Sequence, residues 1–442
     1  MLDRLFRRTA HGIRPGLDVI TRLLDHLHHP ERAYPIIHVA GTNGKGSVCA
    51  MIASVLQQAG YHTGLYTSPH LTHFNERIQI DTTPIPDADL ATLIQAVEAV
   101  ADKVAGEPGA RPATFFECAT AMAFLYFRLK QVDWAVIETG LGGRWDATNV
   151  GRPTLSVLTR IDIDHAEFLG SDILSIAGEK AGIIKAGAPV VCGDFDDRIQ
   201  EVIDTAARDA GSTVLHANQS VRIERLSQDG SGQKIRIETD ERTCRPFRFP
   251  LLGRHQLENC ALAVAALEAI QAMGHIELRD EDLCHGLAGC DWPARCQVLR
   301  TDPVTILDVA HNPNGAAALS RTLKELLKKK PLGMIVGFLS DKDVVGCVRE
   351  FAHVANRFWA VPISSERGLT AEAVCAVIQG TGKPVTATTL SAALADAREW
   401  AKKENGAICI AGSLYLAGEI DARTLGSGSA EGLHGKRRST AK

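Results

Sequence analysis

The chain is predicted to be an α/β protein built on two mostly parallel sheets, and three features point to this. Short apolar runs of strand length recur along it, longer amphipathic segments separate them, and the alternation starts afresh after about residue 295. Uninterrupted apolar runs suit strands buried on both faces, as in a parallel sheet covered by helices. At 442 residues the chain exceeds what one hydrophobic core organises, so two domains are expected.

Leu17, Ile20, Leu24 and Leu27 recur at helical spacing before Pro30, which predicts an amphipathic helix ahead of the first strand, YPIIHVA at 34–40. Further strands are expected at 132–138, 154–159 and 188–192. Residues 220–249 alternate apolar and polar around a DGSG turn, predicting a hairpin on the rim of the first domain. After a helix-rich stretch at 255–288 come VTILDV, LGMIVGF, RFWAVPI, PVTAT and GAICIAG, separated by helical segments. These predict a second, smaller, doubly wound, Rossmann-like domain. A boundary near 295–300 divides the chain into residues 1–296 and 297–421, and the small, polar, basic tail 422–442 is expected to be disordered with its KRR solvated.

Hydrophobic residues at 45% and charged residues at 23% match a packed globular chain. With 48 basic against 52 acidic residues, no global field gathers nucleic acid or anionic membrane, so small molecules are the expected partners. Eleven cysteines, an odd number without a CxxC pair, suit reduced thiols in a reducing compartment. Cys284, Cys290 and Cys296 recur every six residues, a spacing that matches no common zinc pattern. No apolar run is long enough to span a membrane, and the basic start MLDRLFRRTA lacks the apolar stretch of a secretory signal, so a cytoplasmic protein is expected.

The strongest local signal is GTNGKGS at 41–47, which follows a strand and opens the helical pattern VCAMIASVLQQAG. Glycines 41, 44 and 46 let the backbone curl so that amides point inward, the helix N-terminus adds its dipole, and Lys45 adds positive charge. ATP phosphates are the natural ligand, making the first unit a P-loop-type ATPase domain. The strict Walker spacing is not met, because Gly46 separates Lys45 from Ser47, and a tight strand-to-helix turn is the alternative.

Glu138 ends the apolar run VDWAVIE, where a buried carboxylate is costly without a cation, so a metal ligand is the more economical reading. Other candidates have plain alternatives. Ser68 before Pro69 suits the start of a turn. His165 suits a hydrogen-bonded histidine, since magnesium selects oxygen ligands. Lys180 beside Glu179 suits a solvated charge, Asn259 a polar residue within a helix, and Phe115 with Phe116 the start of a core helix. Arg295 and Asp308 lie near the domain junction, where an arginine can reach phosphate and an aspartate can orient ribose or that arginine. His311 is either a helper in a closed site or a cap on the next helix.

Read in order, the phosphate loop is followed by SPHL at 68–71, ERI at 76–78, ETGLGGRWDATN at 138–149, DHAEFLG from Asp164, and EKAGIIK at 179–185. GRHQLENCALA at 253–263, WPAR at 292–295, DVAHNP at 308–313 and GSLYLAGE at 412–419 complete the series. Together, from residue 14 to about 420, they resemble the folylpolyglutamate synthase and dihydrofolate synthase family, a branch of the Mur ligase superfamily. The resemblance implies an ATP-driven ligation in which a carboxylate is phosphorylated to an acyl phosphate, the amine of glutamate attacks it, and phosphate leaves. It implies that Asn43, Gly44, Lys45, Gly46 and Ser47 hold the triphosphate and that Asn259, Arg295 and Asp308 contact the nucleotide. It further implies two magnesium ions with Ser47, Ser68, Glu138 and His165 as ligands, a carbamylated Lys180, and catalytic roles for Lys45, Lys180 and His311.

By the same resemblance, Phe115 and Phe116 lie in the loop that receives a pterin, and the small-molecule partners are ATP, L-glutamate and dihydropteroate or a reduced folate. A monomer is expected, with its site between its own domains. FFE and DVAHNP resemble bifunctional bacterial members, with a monofunctional folylpolyglutamate synthase as runner-up. A cell-wall Mur ligase is disfavoured because only 40 residues precede Gly41, too few for a nucleotide-sugar domain. An ATP-hydrolysing switch would differ by lacking glutamate-dependent ADP release. The chain departs from the family pattern at Ala294, where glycine is common, at Trp145 in place of leucine, and at Arg160 and Asp162.

Overall fold

The computed structural model describes residues 2–12, 14–164, 170 and 172–420. Strand β1 (Ile36–Ala40) occupies the middle of an eight-stranded sheet. The other strands are β2 (Thr63–Tyr66), β3 (Ile78–Ile80), β4 (Thr83–Pro84), β5 (Trp134–Glu138), β6 (Leu155–Leu158), β7 (Val190–Cys192) and β8 (Val214–His216). Their order is β4-β3-β2-β5-β1-β6-β7-β8, parallel from β2 to β8, with β3 and β4 added antiparallel at one edge. Every residue of β1, β5 and β6 is buried, which accounts for their continuous apolar runs.

Helices α1 (Leu2–Arg7), α2 (Asp18–His26), α4 (Asp87–Ala105) and α5 (Phe115–Leu129) belong to one core, into which α2 turns Val19, Ile20, Leu23 and Leu24. Helix α3 (Lys45–Gln58) lies between the sheet and the helices Arg254–Ala272 and Asp280–Ala288. Gly46 to Ala53 are all buried there, so α3 has no polar face.

The hairpin is β9 (Val221–Asp229) and β10 (Gly232–Thr239), closed by Gly230 and Ser231. A third strand, β11 (Phe247–Phe249), at the end of the alternating segment, pairs with β10. Ile235, Ile237 and Phe249 join this sheet to the core around α3.

The second sheet has six strands: β12 (Gln297–Thr301), β13 (Val304–Leu307), β14 (Leu332–Val336), β15 (Arg357–Ala360), β16 (Val385–Ala387) and β17 (Ala407–Ala411). The five expected strands all form and pair in parallel in the order β13-β17-β14-β15-β16. β12 adds an antiparallel edge; it is only half-buried and carries no continuous apolar run to announce it. Among the described residues, no helix is long and apolar enough to cross a membrane.

Candidate active site

Because β1, β2, β5 and β6 are parallel, the loops leaving their C-terminal ends gather at one edge of the first sheet. The loops after β13, β14 and β17 of the second sheet line the same cleft, whose volume is about 1360 Å³. Sites of this kind sit where strand ends of α/β sheets converge.

The phosphate loop bridges β1 and α3. Gly41 and Gly44 have φ of +153° and +91°, a region closed to most side chains. A Cβ on Gly44 would run into the Asn259 carboxamide, and one on Gly46 would approach the Trp292 ring to 2.7 Å. Lys45 Nζ donates to the carbonyls of Gly41 (3.1 Å) and Thr42 (3.3 Å), and Lys180 Nζ donates to that same Gly41 carbonyl at 2.9 Å. Lys180 is therefore a buried amine, not a solvated one. Burial and the charge of Lys45 bring its pKa down from 10.5 to about 7, although Asp164, Asp146 and Asp162 pull the other way.

Ser47 Oγ is buried without a hydrogen-bond partner, in a place where such atoms are normally satisfied. The Glu138 carboxylate is also buried and accepts the Ser68 amide at 3.1 Å. Burial pushes its pKa up, while Lys45, the Ser68 amide, Arg295 and Arg77 work in the opposite sense. Ser68 enters the cleft just before Pro69, so the candidate serine and glutamate are neighbours. His165 lies outside the described residues. Among the described residues no group of three or more His, Cys, Asp and Glu side chains converges as a metal cage.

The opposite wall comes from the second sheet. Asp308, expected to orient ribose or Arg295, accepts the amides of Cys296 and Ala310, both at 2.7 Å, and lies close enough to Arg295 for each charge to act on the other. Those bonds hold the loop that carries Val309 and His311 against the start of β12. Burial raises the Asp308 pKa, opposed by Arg295 and the two amides. Arg295 is half-buried, donates to the Ala294 carbonyl at 3.2 Å and rests 5.9 Å above the Trp292 ring. His311 donates from Nδ1 to the Val309 carbonyl at 2.8 Å, leaving Nε2 3.5 Å from Asp164. It does not cap the helix Pro313–Leu327; Asn312 does, accepting the Gly315 amide at 2.8 Å. Asn259 is buried, donates to Gln256 at 3.0 Å and lies against Gly44.

A polar network crosses the cleft. Asp162 accepts from Asn43 of the phosphate loop (3.2 Å) and from Asn314 of the second domain (2.9 Å). Asn312 donates to Asn43 (3.1 Å) and to Asp164 (3.1 Å), and Lys342 pairs with Asp164 at 2.7 Å. The departure at Asp162 thus ties the two domains together. Lys342 and Asn314 escaped the sequence reading, since their partners lie more than 100 residues away and no local pattern marks them.

At the far end, α5 opens with a capping box: Thr114 Oγ1 accepts the Glu117 amide, and the Glu117 carboxylate accepts the Thr114 amide at 2.8 Å. This box sets the first turn, and with it Phe115 and Phe116, at the cleft. Phe116 lies 6.2 Å from Tyr66. Arg77, from the ERI motif, is buried with its guanidinium 5.2 Å above Phe115 and 5.8 Å above Phe74, and donates from Nε to His70 Nδ1 at 2.8 Å. The exposed Trp145 ring stands at the mouth.

Residues 39–267 match the family model of the Mur ligase middle domain, and residues 294–414 that of the Mur ligase, glutamate ligase domain. The chain is 37% identical over 354 residues to the dihydrofolate synthase/folylpolyglutamate synthase of Bacillus subtilis, covering 79% of this chain and 81% of that one. It superposes on Mycobacterium tuberculosis folylpolyglutamate synthase complexed with ADP and AMPPCP at a TM-score of 0.86 and 34% identity, covering 94% and 96% of the two chains. Escherichia coli FolC in complex with DHPP and ADP superposes at 0.80, with 28% identity and 92% coverage of each chain.

Proposed function

The chain belongs to the folylpolyglutamate synthase/dihydrofolate synthase family of Mur ligases, and from that premise we propose that it uses ATP to join L-glutamate to a pterin-linked carboxylate, acting on both dihydropteroate and reduced folates. One observation carries this reading: the phosphate loop, with Lys45 and Lys180 converging on Gly41, shares a single cleft with an aromatic pocket at Phe115 and Phe116. A triphosphate and a flat ring system can therefore face each other across the reacting carboxylate. The Mur-type domains and the nucleotide complexes of similar structures support ATP as the energy source.

In the first step a carboxylate oxygen of the substrate attacks the γ-phosphorus of ATP, the bond to the β,γ-bridging oxygen breaks, and ADP leaves. The glutamate amine then attacks the acyl carbon, the amine proton is lost, and phosphate departs with the acyl oxygen. Amides from Asn43 to Ser47 and the Lys45 charge would hold the triphosphate while negative charge shifts towards ADP. Arg295 would reach phosphate from the opposite wall, with Asn259 beside the loop. Asp308 would act by pinning the loop of His311, whose imidazole faces the reacting end of the cleft.

The residues present fit magnesium: Ser47 Oγ lacks a partner, and Glu138 is a buried carboxylate with hard oxygen donors. Ser47, Ser68 and Glu138, with His165, would hold two ions; few protein ligands suffice because magnesium keeps waters and phosphate oxygens. When bound, the ions would neutralise phosphate charge. A pKa of about 7 leaves Lys180 with the neutral amine that carbamylation by carbon dioxide requires, and the anion formed would lie beside Lys45.

Residues 1–296 and 297–421 would be the two working units; residues 422–442 lie outside the described residues. One chain supplies both walls of the cleft, as a monomer needs, and its unpaired cysteines suit the cytoplasm. The test is ADP release by the purified protein with ATP, magnesium and L-glutamate, comparing dihydropteroate, tetrahydrofolate and no pterin, with mass spectrometry of products. Glutamylated product from both pterins is expected. Product from tetrahydrofolate alone makes the protein a monofunctional folylpolyglutamate synthase, and pterin-independent ADP release without product overturns the ligase assignment.

A further inference from the structure

The aromatic end of the cleft is lined in part by a residue remote in sequence from Phe115. Phe6, on the six-residue helix α1, lays its ring on Phe115 with centroids 5.4 Å apart and planes within 13° of each other, and meets His70 and Phe74 edge-on at 6.3 and 6.4 Å. Phe6 is nonetheless 38% exposed and lines the cleft, whereas Leu5 beside it is fully buried. Leu5 and Leu2 anchor α1 to the core, so the Phe6 ring can leave its stack without unseating the helix.

The anchoring of α1 supports that use. Arg8 Nε pairs with Glu98 Oε1 at 2.7 Å and its Nη2 with Asp102 at 3.0 Å, both on α4, while Nη1 reaches the Ala113 carbonyl at 3.3 Å. Ala113 directly precedes the Thr114 cap of α5, so Arg8 fastens the base of α1 to the loop that sets Phe115. Arg8 and Glu98 are buried, which makes this pair a firmer fixture than a surface ion pair. The Phe6 ring lies on a short helix with a fixed base.

Rings 5.4 Å apart leave no room for a third between them, because a flat ligand needs roughly 7 Å, two carbon contacts of about 3.5 Å each. A planar fused ring must lift Phe6 from Phe115 to enter, and can then be covered by it. We propose that Phe6 is a specificity-determining aromatic lid, which exchanges its stack on Phe115 for a stack on the flat heteroaromatic ring of the substrate. This inference rests on the proposed pterin-linked substrate.

Steady-state kinetics of Phe6→Ala and Phe6→Trp in the full-length protein test it. Phe6→Ala is expected to raise KM for dihydropteroate roughly two- to threefold, the margin by which a stack on a fused ring exceeds the stack on Phe115 that it replaces, with kcat and KM for ATP unchanged. Phe6→Trp keeps a flat ring and should retain the wild-type KM. Its additional fluorescence, relative to wild type, should change on titration with dihydropteroate in the absence of ATP, a direct readout that survives if the alanine variant fails to fold. An unchanged or lowered pterin KM in Phe6→Ala overturns the lid, as does a Phe6→Trp signal that ignores a pterin the protein turns over. Failure of the ligase reading looks different: wild type then yields no glutamylated product with either pterin.

Discussion

Lys180 shows how one residue's surroundings reverse its sequence-level reading. Beside Glu179 on a helix it suits a solvated charge, but the helix Ile173–Ala181 turns it inward onto the Gly41 carbonyl. Its depressed pKa, about 7 in place of 10.5, means that the unfolded chain binds the extra proton between those values. The stability penalty of burying it is thus fully present below pH 7 and fades as pH rises towards 10.5. Lys180→Met should melt at a higher temperature than wild type, by most at pH 6 and by less at pH 9, while losing ADP release; a gap that widens with pH would contradict the buried-amine account. In carbon-13 bicarbonate, wild type but not the variant should show a carbamate NMR signal. Glu138 makes a parallel case, since only a cation offsets a carboxylate so fully enclosed. Glu138→Gln should lower glutamate-dependent ADP release roughly a hundredfold or more without lowering the melting temperature. A normal rate would remove Glu138 from the proposed magnesium site.

Among the elements, the most legible were those whose function and geometry are local. A buried strand, a glycine loop and a helix start follow one another within 20 residues at β1, 41–47 and α3, and each glycine has a steric reason in Thr159, Asn259 or Trp292. β11 and β12 were not singled out, because neither carries the continuous apolar run that marked a strand as short as β7. Helix α5 joins local and functional order, since its capping box fixes the turn that carries Phe115 and Phe116. Thr114→Ala should cost about 1 kcal/mol of stability in chemical denaturation and raise KM for the pterin but not for ATP. An equal rise in both constants would mean that α5 does not act through the pterin end.

On the scale of the whole molecule, the two domains meet through Asn43, Asp162 and Asp164 on one side and Asn312, Asn314 and Lys342 on the other, rather than through an apolar seam alone. Lys342 and Asp164 are both largely buried, so deleting one leaves the other's charge enclosed. Lys342→Ala should destabilise the protein by about 3 kcal/mol and lower kcat. The double variant Lys342→Met with Asp164→Asn should recover much of the stability but not the rate, as read by thermal melts and ADP release. Recovery of both would reduce the pair to a structural tie. The sequence by itself determined the α/β class, the two series of strands and the residue types that ATP-driven ligation needs, because periodicity, loop chemistry and ordered motifs are written over short spans. Only the tertiary structure decided the strand order, the stacking of Phe6 on Phe115, the assignment of the helix cap to Asn312 in place of His311, and the commitment of Asp308 to two backbone amides. Each of those depends on groups brought together from distant segments, where packing and burial across the whole fold select partners that no local pattern encodes.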